Sequence, residues 1–115
     1  MLDTENTTVV LAKMMEFARQ KQEVTAHNLA NANTPGYIRQ KLDFEDAMKA
    51  ASPEEVKDVT AQRVDDFSNA KRLDGNNVKS SQELNDMMQN SIFFQLSAKA
   101  MSTKMSILKA AMSSR

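Results

Sequence analysis

Residues 80–115 read SSQELNDMMQNSIFFQLSAKAMSTKMSILKAAMSSR and contain an apolar repeat in which spacings of three and four residues alternate. The repeat continues for about four heptads without Gly or Pro, which predicts one continuous helix of about 30 residues with a coiled-coil seam. Ser80 followed by Glu83 predicts a capping box at the start of this helix. The predicted seam consists of Leu84, Met87, Ser91, Phe94, Ala98, Met101, Met105, Leu108 and Met112.

A helix of this length, roughly 45 Å, needs a second long helix along its side, from this chain or from other copies. Residues 7–32 show such a pattern, with apolar residues on one face and charged residues on the opposite face. Gln22 and Asn28 fall near the seam, so this helix is the less apolar of the two. Its predicted seam residues are Leu11, Met14, Phe17, Ala18 and Leu29.

Together the two patterns predict a mainly α fold, in which long N- and C-terminal helices pair as a coiled coil around a short, irregular, partly helical middle segment. We expect residues 1–34 to form an N-terminal axial helix, residues 35–79 a turn and a middle segment with a short helix, and residues 80–115 a C-terminal coiled-coil helix. A lone helix pair covers each seam on one side only. We therefore hypothesise that the terminal helices become rigid when copies assemble.

A turn is predicted where residues 28–37 read NLANANTPGY. Asparagine side chains in this stretch offer local hydrogen bonds that compete with continuation of the helix. Thr34 precedes a proline and is therefore biased toward extended geometry. Pro35 and Gly36 suit the two central positions of a type II turn, in which Gly accepts the positive φ. The first helix should therefore end here, and the chain should turn sharply before Tyr37.

The middle of the chain shows mixed patterns. We expect residues 37–44 to be extended and residues 43–51 to form a short helix. The sequence Ser52-Pro53-Glu54-Glu55 predicts that a helix restarts there, with Ser as the cap and Pro at the first helical position. Residues 59–67 remain open between helix and strand because they are rich in β-branched valine. Residues 73–78 should form a polar turn that leads into the last helix.

The composition argues against catalysis. The 115 residues include no cysteine and a single histidine, so the sequence lacks the residue sets of thiolate chemistry and of histidine-based metal or catalytic sites. Fifteen basic and fifteen acidic residues give a net charge of zero, which disfavours a nucleic-acid partner. We expect a protein that is not an enzyme, with no catalytic residues, no bound metal and no cofactor. We also expect no direct membrane span and no cleavable secretory signal.

Residues 28–37 closely resemble the signature N-(I/L)-A-N-x-x-T-P-G-Y of the bacterial flagellar rod, hook and hook-associated axial proteins. Three further stretches, LDFE at 42–45, LDGNNV at 73–78 and FFQ at 93–95, resemble the proximal rod members of that family. The short length and the DGNNV sequence favour a resemblance to a proximal rod protein other than FlgC. The residues that carry the family turn are Asn28, Asn31, Thr34, Pro35, Gly36 and Tyr37.

The resemblance implies a structural subunit of the proximal rod of the flagellar basal body, which self-assembles through its terminal helices into a hollow drive shaft for motility. The implied partners are other copies of the chain, FliE at the base, FlgC and FlgF-like rod proteins, and the flagellar type III export apparatus. The implied location is the rod, across the periplasm, after export without a cleavable signal peptide.

Two other classes of protein fit parts of the pattern. A helical export chaperone or adaptor would use an exposed Met groove to bind an amphipathic helix of another flagellar protein. A membrane-surface helix would carry basic residues and few acidic ones on its polar face. Glu83, Asp86 and the neutral overall charge disfavour the membrane-surface helix.

Overall fold

The computed structural model describes residues 4–114 and shows an elongated molecule of 67 × 26 × 14 Å. The predicted N-terminal segment begins at residue 1 and the predicted C-terminal segment ends at residue 115, and both of these residues lie outside the described range. In chain order the elements are α1 (Thr4–Ala30), β1 (Gln40–Asp43), α2 (Glu45–Ala50), a single 3-10 turn (Val56–Asp58), β2 (Gln62–Asp65) and α3 (Ser80–Ser113).

The two terminal helices, of 27 and 34 residues, pack against each other as an antiparallel pair. The end of α1 meets the start of α3, where Asn28 Nδ2 donates to Glu83 Oε2 at 3.3 Å. Farther along, Asn90 Nδ2 donates to the Ala18 carbonyl at 2.6 Å. This arrangement confirms the predicted mainly α fold, with long terminal helices around a short middle segment.

The chain turns after α1 as predicted. The Tyr37 amide donates to the Thr34 carbonyl at 3.2 Å, and Gly36 between them has a φ of +75°. A positive φ at the third position is the mark of a type II turn. The turn also contacts a distant part of the chain, because the Gly36 amide donates to the Asp74 carbonyl at 2.8 Å.

The middle segment forms a two-stranded antiparallel sheet that packs on α1. Gln40 lies opposite Asp65, and the pairing places β2 within residues 59–67, the stretch that the sequence left open between helix and strand. A small apolar core joins the sheet and its connections to the helix. It consists of Phe17, Val24, Leu42 and Val59, with the ring of Phe44 at 4.5 Å from that of Phe17.

The prediction that a helix restarts at Ser52 is wrong. The chain forms a turn there, but no α-helix directly follows it. The Glu55 amide donates to the Ser52 carbonyl at 2.9 Å, and only the 3-10 turn Val56–Asp58 follows. Val56 and Val59 are both buried. Because positions three apart eclipse in a 3-10 turn, this geometry directs both valines inward and then releases the chain toward β2.

The predicted capping box of α3 is also wrong. Lys79 occupies the N-cap position, and no side chain caps the helix there. Glu83 does not bind back to Ser80, because its carboxylate accepts hydrogen bonds from Arg39 and Asn28 instead.

Candidate functional site

The amide of Asn28 joins three segments of the chain. Its Oδ1 accepts hydrogen bonds from the Gln40 amide at 2.8 Å and from the Tyr37 hydroxyl at 2.9 Å. Its Nδ2 donates to the Gln40 carbonyl at 2.8 Å and to Glu83 Oε2. All four hydrogen-bonding positions of the side chain are thus used, and the residue is completely buried. This residue of the predicted turn motif therefore fixes β1 and α3 against the end of α1.

The other motif residues shape the turn itself. Asn31 Nδ2 donates to the His27 carbonyl at 2.9 Å, and Thr34 Oγ1 donates to Asn31 Oδ1 at 3.1 Å. The His27 carbonyl also accepts from the Asn31 backbone amide at 3.1 Å, so the side-chain bonds reinforce the last turn of the helix. Pro35 and Gly36 are exposed, so they contribute backbone geometry rather than packing.

Residues 74–77 dock onto this turn, which sequence reasoning missed when it treated them only as a connection. Asn76 is completely buried, and its Nδ2 donates to the carbonyls of Asn31 and Thr34, each at 2.9 Å. Gly75 has a φ of +84°, and a Cβ atom there would lie 3.2 Å from the Gly36 Cα. The two glycines allow the two turns to touch backbone to backbone.

A buried ion cluster lies beside these turns. The Arg39 guanidinium donates through Nε to Glu83 Oε1 at 2.7 Å and through Nη1 to Asp66 Oδ2. Its Nη2 lies 3.6 Å from Asp86 Oδ2, and its backbone amide donates to Asn77 Oδ1 at 2.6 Å. One arginine thus ties the start of β1 to the end of β2 and to the first turns of α3. We call this assembly the joint. It consists of the turn at residues 28–37, the turn at residues 74–77, and the ion cluster of Arg39, Asp66, Glu83 and Asp86.

The charges of the joint support one another. Burial opposes ionisation of Arg39, but hydrogen bonds and charge from Glu83 and Asp66 outweigh it and raise the pKa of this guanidinium. Burial would also raise the pKa of Asp66, yet hydrogen bonds from Ser68 and Arg39 hold that pKa below its ordinary value. For Tyr37, burial and the nearby Glu83 charge raise the pKa of the phenol. At neutral pH the joint therefore contains ionised partners.

The structure places the predicted seam residues in two groups. Phe17 and Ala18 are buried, and Leu11, Met14, Leu29, Met87, Ala98 and Met101 are half-buried. The exposed group consists of Leu84, Ser91, Phe94, Met105, Leu108 and Met112. In the exposed group, Phe94 lines a cleft with Ala18, and Leu108 lines a groove with Leu11, so these two side chains lie at the edge of the helix pair.

Polar contacts explain why α3 is turned this way. Its buried residues are Glu83, Asn90 and Ser97, which keep the seven-residue spacing but lie one position before Leu84, Ser91 and Ala98 of the predicted seam. Glu83 binds the joint, and Asn90 binds the Ala18 carbonyl and, at 2.9 Å, Gln22 Oε1. Because these side chains need partners on α1, they turn part of the apolar repeat toward solvent.

A large apolar surface is left exposed on α3. Among the described residues, ten large apolar side chains of this helix are exposed, and four of them follow a four-residue spacing that places them on neighbouring turns. We call these four, Leu84, Met88, Ile92 and Leu96, the outer stripe. Extended apolar surfaces of this kind mark interaction sites.

Residues 4–114 show neither a metal-ligand cluster nor a membrane-spanning helix. They contain no group of three or more His, Cys, Asp or Glu side chains that could hold a metal ion. None of the described helices is long and apolar enough to cross a bilayer. His27 is exposed, and its Nδ1 lies 2.9 Å from the Tyr37 hydroxyl, so it belongs to the rim of the joint.

Comparisons with known proteins agree on one family. A family model described as "Flagella basal body rod protein" matches residues 15–37, from the middle of α1 through the turn. The flagellar basal body rod protein FlgB of Escherichia coli (strain K12) is 30% identical over 104 residues, which covers 72% of this chain and 75% of the relative. FlgB of Aeromonas hydrophila is 30% identical over 107 residues, covering 79% and 81%. FlgB of Bacillus subtilis (strain 168) is 29% identical over 102 residues, covering 77% and 79%.

Proposed function

Because the chain belongs to the family of FlgB flagellar basal body rod proteins, and so is a component of that rod, we propose that its copies assemble through their terminal helices into the proximal part of a hollow drive shaft. In this proposal residues 1–34 and 80–115 are the axial helices of the assembled tube. Residues 35–79 provide the turn and the contacts with neighbouring subunits.

The observation that carries the proposal is the apolar surface of α3. The outer stripe and the predicted seam residues from Met105 to Met112 are exposed in the single chain. Fully burying each large apolar side chain is worth about 1.5–3 kcal/mol. Contacts of these side chains with other copies would therefore stabilise an assembly strongly. The half-buried seam residues would complete the same packed layer.

The joint gives the assembly its shape. Arg39, Asn28 and Asn76 connect α1, the middle segment and α3 through buried hydrogen bonds. Such a connection fixes the angle at which the middle segment leaves the helix pair, so that identical copies can make identical contacts. The motif residues of the turn act in this proposal as positioning residues for assembly.

The partners we propose are further copies of the chain, FliE at the base, FlgC and FlgF-like rod proteins, and the flagellar type III export apparatus. We place the rod subunit in the periplasmic part of the basal body, after export through this apparatus. The role is structural and involves no catalysis.

The proposal is tested by changing the outer stripe at Ile92. Ile92→Glu would place a carboxylate in a packed interface, whereas Gln95→Glu on the same helix adds the same charge at an exposed polar position. We expect Ile92→Glu to abolish assembly of the purified chain and motility in cells, with full helicity by circular dichroism. Assembly that is equally strong in both variants would contradict the proposal.

A helical export chaperone or adaptor would behave differently. It would remain a monomer or a small oligomer at all concentrations and would bind an amphipathic helix of another flagellar protein. Light scattering over a wide range of concentration separates the two functions, because a rod subunit should form particles of increasing size. A fixed size together with peptide binding would favour the chaperone.

A further inference from the structure

Charge is distributed unevenly along this neutral chain. From residue 87 to residue 114 the sequence contains three lysines, Lys99, Lys104 and Lys109, and no acidic residue. Residues 43–65 instead expose seven carboxylates against three basic side chains. None of the seven carboxylates forms an ion pair with any residue in the range 4–114. They belong to Asp43, Glu45, Asp46, Glu54, Glu55, Asp58 and Asp65.

The two charged regions lie beside different parts of α1. The far end of α3 lies beside Thr7 and Leu11, with which it lines a groove. The middle segment packs on Phe17 and Val24. Thr7 and Phe17 are about 15 Å apart along the helix. This distance exceeds the Debye length of about 8 Å at physiological ionic strength. Within one molecule, salt therefore screens the attraction between the two regions, and neither neutralises the other.

The acidic region contains a shallow cavity of about 310 Å³. Its floor is formed by small apolar residues, and Glu55 and Asp58 stand at its edge with exposed carboxylates. We call this cavity the acidic groove; its lining residues are Ala47, Ala50, Ala51, Glu55, Asp58 and Val59. An apolar floor with an acidic edge suits a flexible apolar side chain that is followed by a lysine.

The far end of α3 offers that combination. Met105 and Met112 are exposed, and Lys109 lies with them on one side of the helix. Unbranched methionine side chains adapt to shallow cavities, and lysine keeps its ammonium group at the edge while its stem covers apolar surface. We call residues 99–113 the tip. Lys99 and Lys109 form no ion pair with the described part of the chain.

We propose that the tip of one copy docks into the acidic groove of a second copy. This proposal rests on the proposed self-assembly and adds the pair of surfaces that gives it direction. The two surfaces differ, so each docked copy keeps one free groove or one free tip. A contact between unlike surfaces that does not close on itself produces an open helical assembly rather than a symmetric dimer. Charge complementarity also suppresses contacts between two tips or between two grooves.

The test is a charge exchange on the full chain. One variant combines Glu55→Lys with Asp58→Lys in the groove, a second combines Lys99→Glu with Lys109→Glu in the tip, and a third carries all four changes. Sedimentation velocity over a concentration series, at low and at high ionic strength, measures self-association. The control combines Lys41→Glu with Lys79→Glu, two exposed lysines outside both surfaces.

We expect each two-site variant to need about tenfold more protein for half-maximal association, from the usual strength of exposed charge pairs. The protein concentration for half-maximal association of the four-site variant should lie within about threefold of that of the natural chain. High salt should weaken association of the natural chain but not of the two-site variants. The control should associate like the natural chain, and circular dichroism should show the same helicity throughout.

Three outcomes would overturn the proposal. If the natural chain associates and the two-site variants match it, the tip and groove do not meet, although self-assembly through the helices stands. If the natural chain never associates, the proposed self-assembly fails as well. If the tip variant loses binding to vesicles of anionic phospholipid while its self-association is unchanged, the tip binds membrane rather than a second copy.

Discussion

Arg39 Nε lies 2.7 Å from Glu83 Oε1, and the two residues, 44 positions apart in sequence, are both buried. This contact joins the start of β1 to the first turn of α3. Glu83 is a residue that local rules assign to helix capping, and the structure uses it for a long-range contact instead.

Replacing Arg39 with Met should destabilise the protein severely. The change removes the cation and leaves Glu83 and Asp66 buried with their charges uncompensated. Breaking a buried ion pair from one side costs about 3–5 kcal/mol. Urea unfolding of the two proteins measures the difference. Arg19→Met is the matched control, because Arg19 pairs with Glu23 at the surface and should cost about 1 kcal/mol or less. Equal losses in the two variants would contradict a central role for Arg39.

Stability should fall in acid because of Asp66. The folded-state pKa of this carboxyl is lowered from its ordinary value of 3.8. Its contribution is thus complete above the unfolded-state pKa and is lost as the pH falls through the folded-state pKa. Unfolding free energy measured against pH should decline below about pH 4. Asp66→Asn should be less stable at neutral pH and should show a smaller decline in acid. If the stability of Asp66→Asn declines in acid as much as that of the natural chain, other carboxylates cause the decline.

Alanine should be tolerated less well at Gly75 than at Gly36. Both residues have a positive φ, which costs an L-residue roughly 1–2 kcal/mol. Around Gly36 there is open space for a Cβ atom, whereas at Gly75 the Cβ atom would press on the Gly36 backbone at 3.2 Å. In thermal unfolding, the melting temperature of Gly75→Ala should therefore be lower than that of Gly36→Ala. The reverse order would mean that the two turns separate easily.

Asn90→Ala should weaken the contact between the two long helices. The change removes two hydrogen bonds across the helix pair, to the Ala18 carbonyl and to Gln22 Oε1, each worth about 0.5–1.5 kcal/mol. The expected loss is about 1–3 kcal/mol in unfolding free energy. Asn85→Ala, at an exposed position of the same helix, should be close to neutral and serves as the control. Similar losses in both variants would point to helix propensity rather than to the hydrogen bond.

Met101→Glu should block assembly. Met101 is a half-buried seam residue in the second half of α3, and a carboxylate there would be desolvated without a partner once the copies pack. We expect normal expression, loss of filament growth by the purified chain and loss of motility in cells. Swarming on soft agar together with electron microscopy measures both effects, and normal motility would defeat the prediction.

Much of the architecture follows from the sequence. The repeat in residues 80–115 predicts α3, and the pattern in residues 7–32 predicts α1, because both depend on periodicity within one element. Pro35 and Gly36 predict the turn for an equally local reason, since their own backbone preferences decide its geometry. The seven-residue spacing of the helix contact is also a property of the repeat.

The tertiary structure alone decided which side of each repeat is buried. The helical rotation of α3 depends on polar partners for Glu83 and Asn90 that lie far away in sequence, and these partners turn Leu84 and Met105 outward. The joint depends likewise on Arg39 meeting acids from two other segments. Local sequence sets periodicity and turns, because these depend on neighbouring residues. Buried polar groups must instead find partners wherever the folded chain brings them, and this requirement set the orientation of α3.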